Sequence, residues 1–215
     1  MVFSLKFSSL KRCYNQGRFA LGCSVVMGCL ALVGCSNNSP TYYTLMHQKG
    51  PSYPASLGAV QTVKVLLPSV PEQLDRDTMV LSGQSYRMVM DDGATWSEPL
   101  STLIGHTLSA NLGQRLPGRI VFSQNDAVAA SPQAYVSLSI TRFDLGEGRH
   151  AVIDGILSIK PGGEATGTAQ SFPVHWVSPQ SVSQRPQALA EALSEGVGSV
   201  ADQAAQVLSG MHVPA

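Results

Sequence analysis

In Tyr135-Val136-Ser137-Leu138-Ser139-Ile140-Thr141-Arg142, the residues Tyr135, Ser137, Ser139 and Thr141 alternate with Val136, Leu138 and Ile140. Successive side chains of a strand point to opposite faces, so this period of two reads as a strand with one buried face. A half-buried sheet needs a covering layer, and two stretches offer one. Leu100, Leu103, Ile104, Leu108, Leu112 and Leu116 recur at helical spacing, with Ser97 as cap, Pro99 in the first turn and Pro117-Gly118 as the stop. Leu189, Leu193, Val197, Val200, Ala204 and Val207 form a second stripe between Gln187 and about Leu208. Gly196 and Gly198 weaken that helix by about 1 kcal/mol each relative to Ala and permit a close approach of a neighbour.

Working outward, Thr41–Met46, Val60–Leu67, Ile120–Phe122, Ala151–Ile159 and Thr166–Val177 read as further strands, and Gln48–Ala59 as a loop. Met79–Leu81 and Tyr86–Met90 read as a hairpin around a Ser82-Gly83-Gln84 turn, with another turn at Asp91-Asp92-Gly93. Lys160-Pro161-Gly162-Gly163 separates the last two strands. The expected fold class is α/β (α+β): a single mixed or antiparallel sheet of roughly five to seven strands, with two long helices packed on one face.

The amino-terminal segment carries a different signal. Lys6, Lys11, Arg12 and Arg18 precede an uncharged apolar run from Phe19 to Gly34. At about 16 residues this run is short of the ~20 needed to span a bilayer core, and it ends on small residues as a cleaved signal does. Leu32-Val33-Gly34-Cys35 resembles the bacterial lipobox, in which the cysteine thiol takes a diacylglycerol. The reading divides the chain into a signal peptide (1–34), a polar tether carrying lipidated Cys35 (35–41), one domain (42–210) and a short tail (211–215). Two or three acyl chains on Cys35, palmitate among them, would give a stable membrane anchor. Ser36, rather than Asp, follows Cys35 and points to the outer membrane, facing the periplasm.

Removing the signal takes four basic residues and no acidic ones, leaving ten basic against fourteen acidic residues and a net charge of −4. Such a chain has little electrostatic support for binding nucleic acid. Cys13, Cys23 and Cys29 leave with the signal, so no internal disulfide is expected. His47, His106, His150, His175 and His212 show no metal-ligand spacing, and no nucleophile elbow or phosphate-binding glycine loop is present. No catalytic, metal or cofactor residues are expected, and the chain does not read as an enzyme.

Three ordered stretches carry a family resemblance: Tyr42-Tyr43-Thr44-Leu45; Leu67-Pro68 through Pro71-Glu72 to Leu74-Asp75-Arg76; and Trp96-Ser97-Glu98-Pro99-Leu100, opening a helix that closes on Asn111-Leu112, Arg115-Leu116-Pro117. Together they look like the PqiC/YmbA-type ABC-transport auxiliary lipoproteins, also called membrane integrity-associated transporter subunits. The Asp91–Thr95 lead-in to Trp96 departs from the pattern, where an aromatic or basic stretch is expected. The resemblance implies a non-catalytic accessory subunit of a lipid transport system, partnered by an MCE-domain transport subunit and supporting envelope integrity. Homo-oligomerisation follows as an expectation from docking on a ring-shaped conduit. The alternative is a periplasmic lipoprotein that itself binds a lipid or other hydrophobic ligand. Candidate partner contacts are Trp96, Asp75, Arg76 and Tyr43.

Overall fold

The computed structural model describes residues 39–84, 87–163 and 168–212. Cys35 and the expected signal segment lie outside them. Eight strands are described, β1 (Thr41–Tyr43), β2 (Thr62–Val65), β3 (Thr78–Gln84), β4 (Arg87–Trp96), β5 (Ile120–Ser123), β6 (Ala134–Leu145), β7 (Ala151–Pro161) and β8 (Gln170–Val177), with helices α1 (Leu100–Arg115) and α2 (Pro186–Ser209).

The alternating strand is β6. Ala134, Val136, Leu138 and Ile140 are buried, while Ser139 and Thr141 are exposed. One edge of β6 pairs antiparallel with β7 from Ala134↔Pro161 to Leu145↔Ala151, with a bulge between Ile140 and Arg142. β8 continues antiparallel beyond β7. The other edge is shared. Its amino-terminal part pairs parallel with β2, which pairs with β5; its far end meets β3 only through Ser82↔Leu145.

The expected single sheet is therefore corrected to two: five strands in the order β5-β2-β6-β7-β8 and three in the order β1-β4-β3, joined by that one residue pair. The segment after β2 gives the physical reason, because it holds the β6 edge as far as Ser69 beside Ser139 and leaves β3 only the far end. After β2 the chain still follows β6, with Leu66 N donating to Val136 O (2.8 Å) and Ser69 N to Leu138 O (2.9 Å). Pro68 has no N–H to offer a ladder, and Leu67 N turns away to Gln124 Oε1 (3.0 Å). The chain then leaves the sheet before β3 returns.

Both helices cover the buried face of the five-stranded sheet, α1 over β5 and β2 and α2 over β7 and β6, and they also pack on each other. The α1 stripe Leu100, Leu103, Ile104, Leu108, Leu112 and Leu116 is wholly buried, as are Leu189, Leu193, Val197, Val200 and Ala204 of α2. Small residues permit two close approaches on α2. A Cβ on Gly196 would fall 2.5 Å from Ile153 Cδ1 and 2.7 Å from the Trp176 ring, and one on Gly198 would fall 2.9 Å from Gln48 Cβ.

Two turns differ from expectation. The hairpin exists, but β3 continues through Ser82-Gly83-Gln84, and Gln84 pairs with Arg87. Asp91-Asp92-Gly93 lies inside β4, where its turn chemistry forms an irregularity: Asp91 Oδ1 accepts from Gly93 N (2.9 Å) while register shifts interrupt the β3–β4 ladder. Helix α1 starts after Pro99 with no side-chain cap from Ser97.

Candidate functional site

The segment that follows β1 crosses the helices as an extended strap. Met46 N donates to Ser194 Oγ of α2 (3.0 Å), and Gln48 N donates to Asn111 Oδ1 of α1 (2.6 Å). Beneath it lies Arg115, the last residue of α1, with only 1 % of its side chain accessible. Its Nε donates to Asp202 Oδ1 (2.5 Å), its Nη1 to the carbonyls of Gln48 (2.7 Å) and Asn111 (3.1 Å), and its Nη2 to Gly198 O (3.1 Å). A guanidinium is suited to such a joint because its planar fork can satisfy several acceptors at once and stays charged. Farther along the strap, Tyr53 N donates to Arg115 O (2.6 Å). One side chain thus ties strap, α1 and α2 together.

The other sequence-selected residues form a second joint. Trp96 is buried in the core; its backbone N–H donates to Asp77 O (2.7 Å), and it pairs across β1–β4 with Tyr43. Tyr43 is partly buried against the core, and its carbonyl accepts from Ser97 N (2.8 Å). Tyr42, one residue earlier, is 67 % exposed. Asp75 Oδ1 accepts from Ser101 N (2.9 Å), so this carboxylate, and not Ser97, satisfies an amide in the first turn of α1. Leu74 beside it is buried. Arg76 is exposed, its Nη1 3.9 Å from Met90 Sδ. The structure thus brings Tyr43, Asp75 and Trp96 to the junction of β1, β4 and α1, and leaves Arg76 facing solvent.

Two surface features were not singled out by sequence. The first is an open groove of about 410 Å³ between the strap and α2, lined by Tyr43, Met46, Ala190, Glu191, Ser194 and Glu195 among others. The second is the outer part of the β3–β4 hairpin, where Arg87, Met88, Val89 and Met90 are all exposed. A short run of consecutive apolar residues conceals such a tip, because it reads equally as a strand buried on both faces.

Chemistry is sparse. His106 Nδ1 meets Glu98 Oε2 at 3.0 Å and His175 Nδ1 meets Asp154 Oδ1 at 2.6 Å, each a single pair at the surface. Among the described residues, no group of three or more His, Cys, Asp or Glu could hold a metal ion, and no helix is long and apolar enough to cross a membrane. Arg119 is buried, donating Nη1 to Leu208 O (3.0 Å), and desolvation lowers its guanidinium pKa from the usual value.

Residues 43–205 match the family model for the ABC-type transport auxiliary lipoprotein component. The chain belongs to this family. The matched range opens at Tyr43 and takes in Asp75, Trp96 and Arg115, the residues of both joints. The chain is also similar to the intermembrane transport lipoprotein PqiC of Escherichia coli (strain K12) and that of Shigella flexneri. Each is 31 % identical over 123 residues, covering 56 % of this chain and 64 % of the relative. The match thus spans a little under two thirds of those relatives' length. Two crystal structures share the fold: an uncharacterised protein (TM-score 0.59, 18 % identity, 79 % of this chain and 98 % of that one) and a protein from Xanthomonas campestris (TM-score 0.58, 16 % identity, 78 % and 95 %). The family is described as the auxiliary lipoprotein component of ABC-type transport.

Proposed function

We propose that the mature protein is anchored to the outer membrane through lipid on Cys35, faces the periplasm, and acts as a non-catalytic subunit docking the outer end of a lipid-transport conduit built by an MCE-domain partner. The observation that carries this reading is the family match beginning at Tyr43, eight residues after the cysteine of a lipobox. The intermembrane transport named for the enterobacterial relatives agrees with it. So does the filled layer between helices and sheet, where Val63, Ile104, Leu108, Leu193 and Val197 are at most 1 % accessible. A protein that carried lipid itself would need an apolar cavity in that layer. The groove beside Met46 is a poorer container, because it is open and bordered by Glu191 and Glu195.

The experiment is crosslinking in living cells followed by purification through a carboxy-terminal tag and mass spectrometry. Recovery of an MCE-domain protein is expected. Recovery of co-purifying phospholipid, with no transport subunit crosslinked, would favour the lipid-binding alternative.

A further inference from the structure

We propose that the outer end of the β3–β4 hairpin, Arg87 to Met90, inserts shallowly into the phospholipid surface of the membrane that holds the chain; the proposal rests on the reading of Cys35 as the lipid anchor. The direction comes from strand register. β1 runs parallel to β4, with Thr41 beside Ala94 and Tyr43 beside Trp96. The amino-terminal end of β1 therefore points to the side toward which β4 runs backward, through Gly93 and Asp92 to Met88 and Arg87. Cys35 precedes Thr41 by six residues, so the anchor lies within about 20 Å of Thr41 at full extension. Met88 pairs with Gly83 and Thr95 with Thr78, so at ~3.3 Å per residue the five-residue step along β3 puts Met88 no more than about 17 Å from Thr95. A membrane held by Cys35 is thus within reach of the hairpin end.

The composition of that end suits a bilayer interface. Met88 is 37 % exposed, and Val89 and Met90 are each 43 % exposed. They are consecutive, so they project to both faces of the ribbon, and apolar side chains on both faces suit immersion better than docking on one flat partner. Exposed Arg87 adjoins them, and Arg76 reaches Met90 from the neighbouring loop. Two guanidiniums beside an apolar tip can pair with lipid phosphates. The acidic pair Asp91-Asp92 lies on the body side of the methionines, away from the phosphates of the bilayer.

The test uses the full lipidated chain in vesicles of phosphatidylethanolamine with a minority of phosphatidylglycerol, some of it brominated on the acyl chains. Acylation consumes the mature chain's single cysteine, so Val89→Cys supplies one reactive thiol for an environment-sensitive fluorophore. Val128→Cys, exposed in the loop before β6 at the opposite end of that strand from the Ser82↔Leu145 pair, is the control. Insertion to about 5–10 Å should quench the label at position 89 at least about two-fold with brominated lipid and leave position 128 unchanged. Chains that float with the vesicles while the label at 89 stays in water would overturn the proposal and leave the anchor standing. A label at 89 shielded from water yet unquenched would assign the tip to a protein contact, also overturning it. Chains that fail to float would remove the anchor reading and this proposal together.

Discussion

Replacing Arg115 by Met removes the charge at the joint while keeping most of the volume, and the structure sets the cost. Three bonds are lost to the carbonyls of Gln48, Asn111 and Gly198, and one to Asp202. The Asn111 and Gly198 carbonyls lie inside helices and retain a backbone partner, so their loss is small. Gln48 O is the acceptor left bare, and leaving a buried polar group unsatisfied costs about 1–3 kcal/mol. The Asp202 pair adds less, because that carboxylate is 41 % exposed and well solvated, and pairs of that kind contribute about 1 kcal/mol or less. Gln48 is itself only half-buried, so the expected total is about 1–4 kcal/mol, a sizeable share of a typical domain stability of about 5–15 kcal/mol. For a domain of this size that lowers Tm by about 3–12 °C. Thermal unfolding of the mature chain, followed by circular dichroism, measures it, with Asp202→Asn as the comparison at a loss of about 1 kcal/mol or less. An Arg115→Met variant melting within about 2 °C of wild type would refute the reasoning, since it corresponds to under about 1 kcal/mol. Equal losses for the two variants would refute it differently, by placing the whole effect in the ion pair.

Trp96→Ala should cost about 3–5 kcal/mol as a buried aromatic lost from the core, whereas Asp75→Ala should cost about 1 kcal/mol through the α1 amide it satisfies; both are read from denaturant melts. Two helix glycines should respond with opposite signs. Gly113 has nothing within 4 Å of a built Cβ, so Gly113→Ala should stabilise by up to about 1 kcal/mol. Gly196→Ala meets Ile153 and Trp176 and should destabilise by about 1–3 kcal/mol net of the propensity gain. Cys35→Ser should remain unprocessed and unlabelled by radioactive fatty acid in cells, and normal labelling would count against lipidation at that residue.

Much of the fold was legible because periodicity reports burial directly. The leucines of α1, the stripe of α2 and the alternation of β6 all face the core that their spacing predicts. The errors share a cause: local chemistry admits more than one tertiary use. Ser82-Gly83-Gln84 suits a turn but is strand, and Asp91-Asp92-Gly93 suits a turn but serves as an irregularity in β4. The break into two sheets depends on how far the segment after β2 follows β6, a register that no local pattern contains. The candidate site was less legible. Three of the four selected residues gather where β1, β4 and α1 meet, Tyr43 and Trp96 through backbone bonds and Asp75 through its carboxylate. Arg115 was quoted only as part of a motif, because its partners lie far from it along the chain at Gln48, Gly198 and Asp202. Motifs that survive as ordered spacings can mark joints as readily as contact surfaces.

The strap also defines a route for mechanical force. A chain held at its amino-terminal end and attached elsewhere receives tension first at Thr41, directed along β1. Because β1 lies parallel to β4, three residue pairs are loaded together in shear, rather than one after another as in peeling. What passes beyond Tyr43 enters the strap, where Ser194, Asn111 and Arg115 hand it to both helices before it can reach β2. A pull on the amino-terminal end is therefore taken up by the three-stranded sheet and then by the helical layer, and the five-stranded sheet beneath is spared until both grips give way.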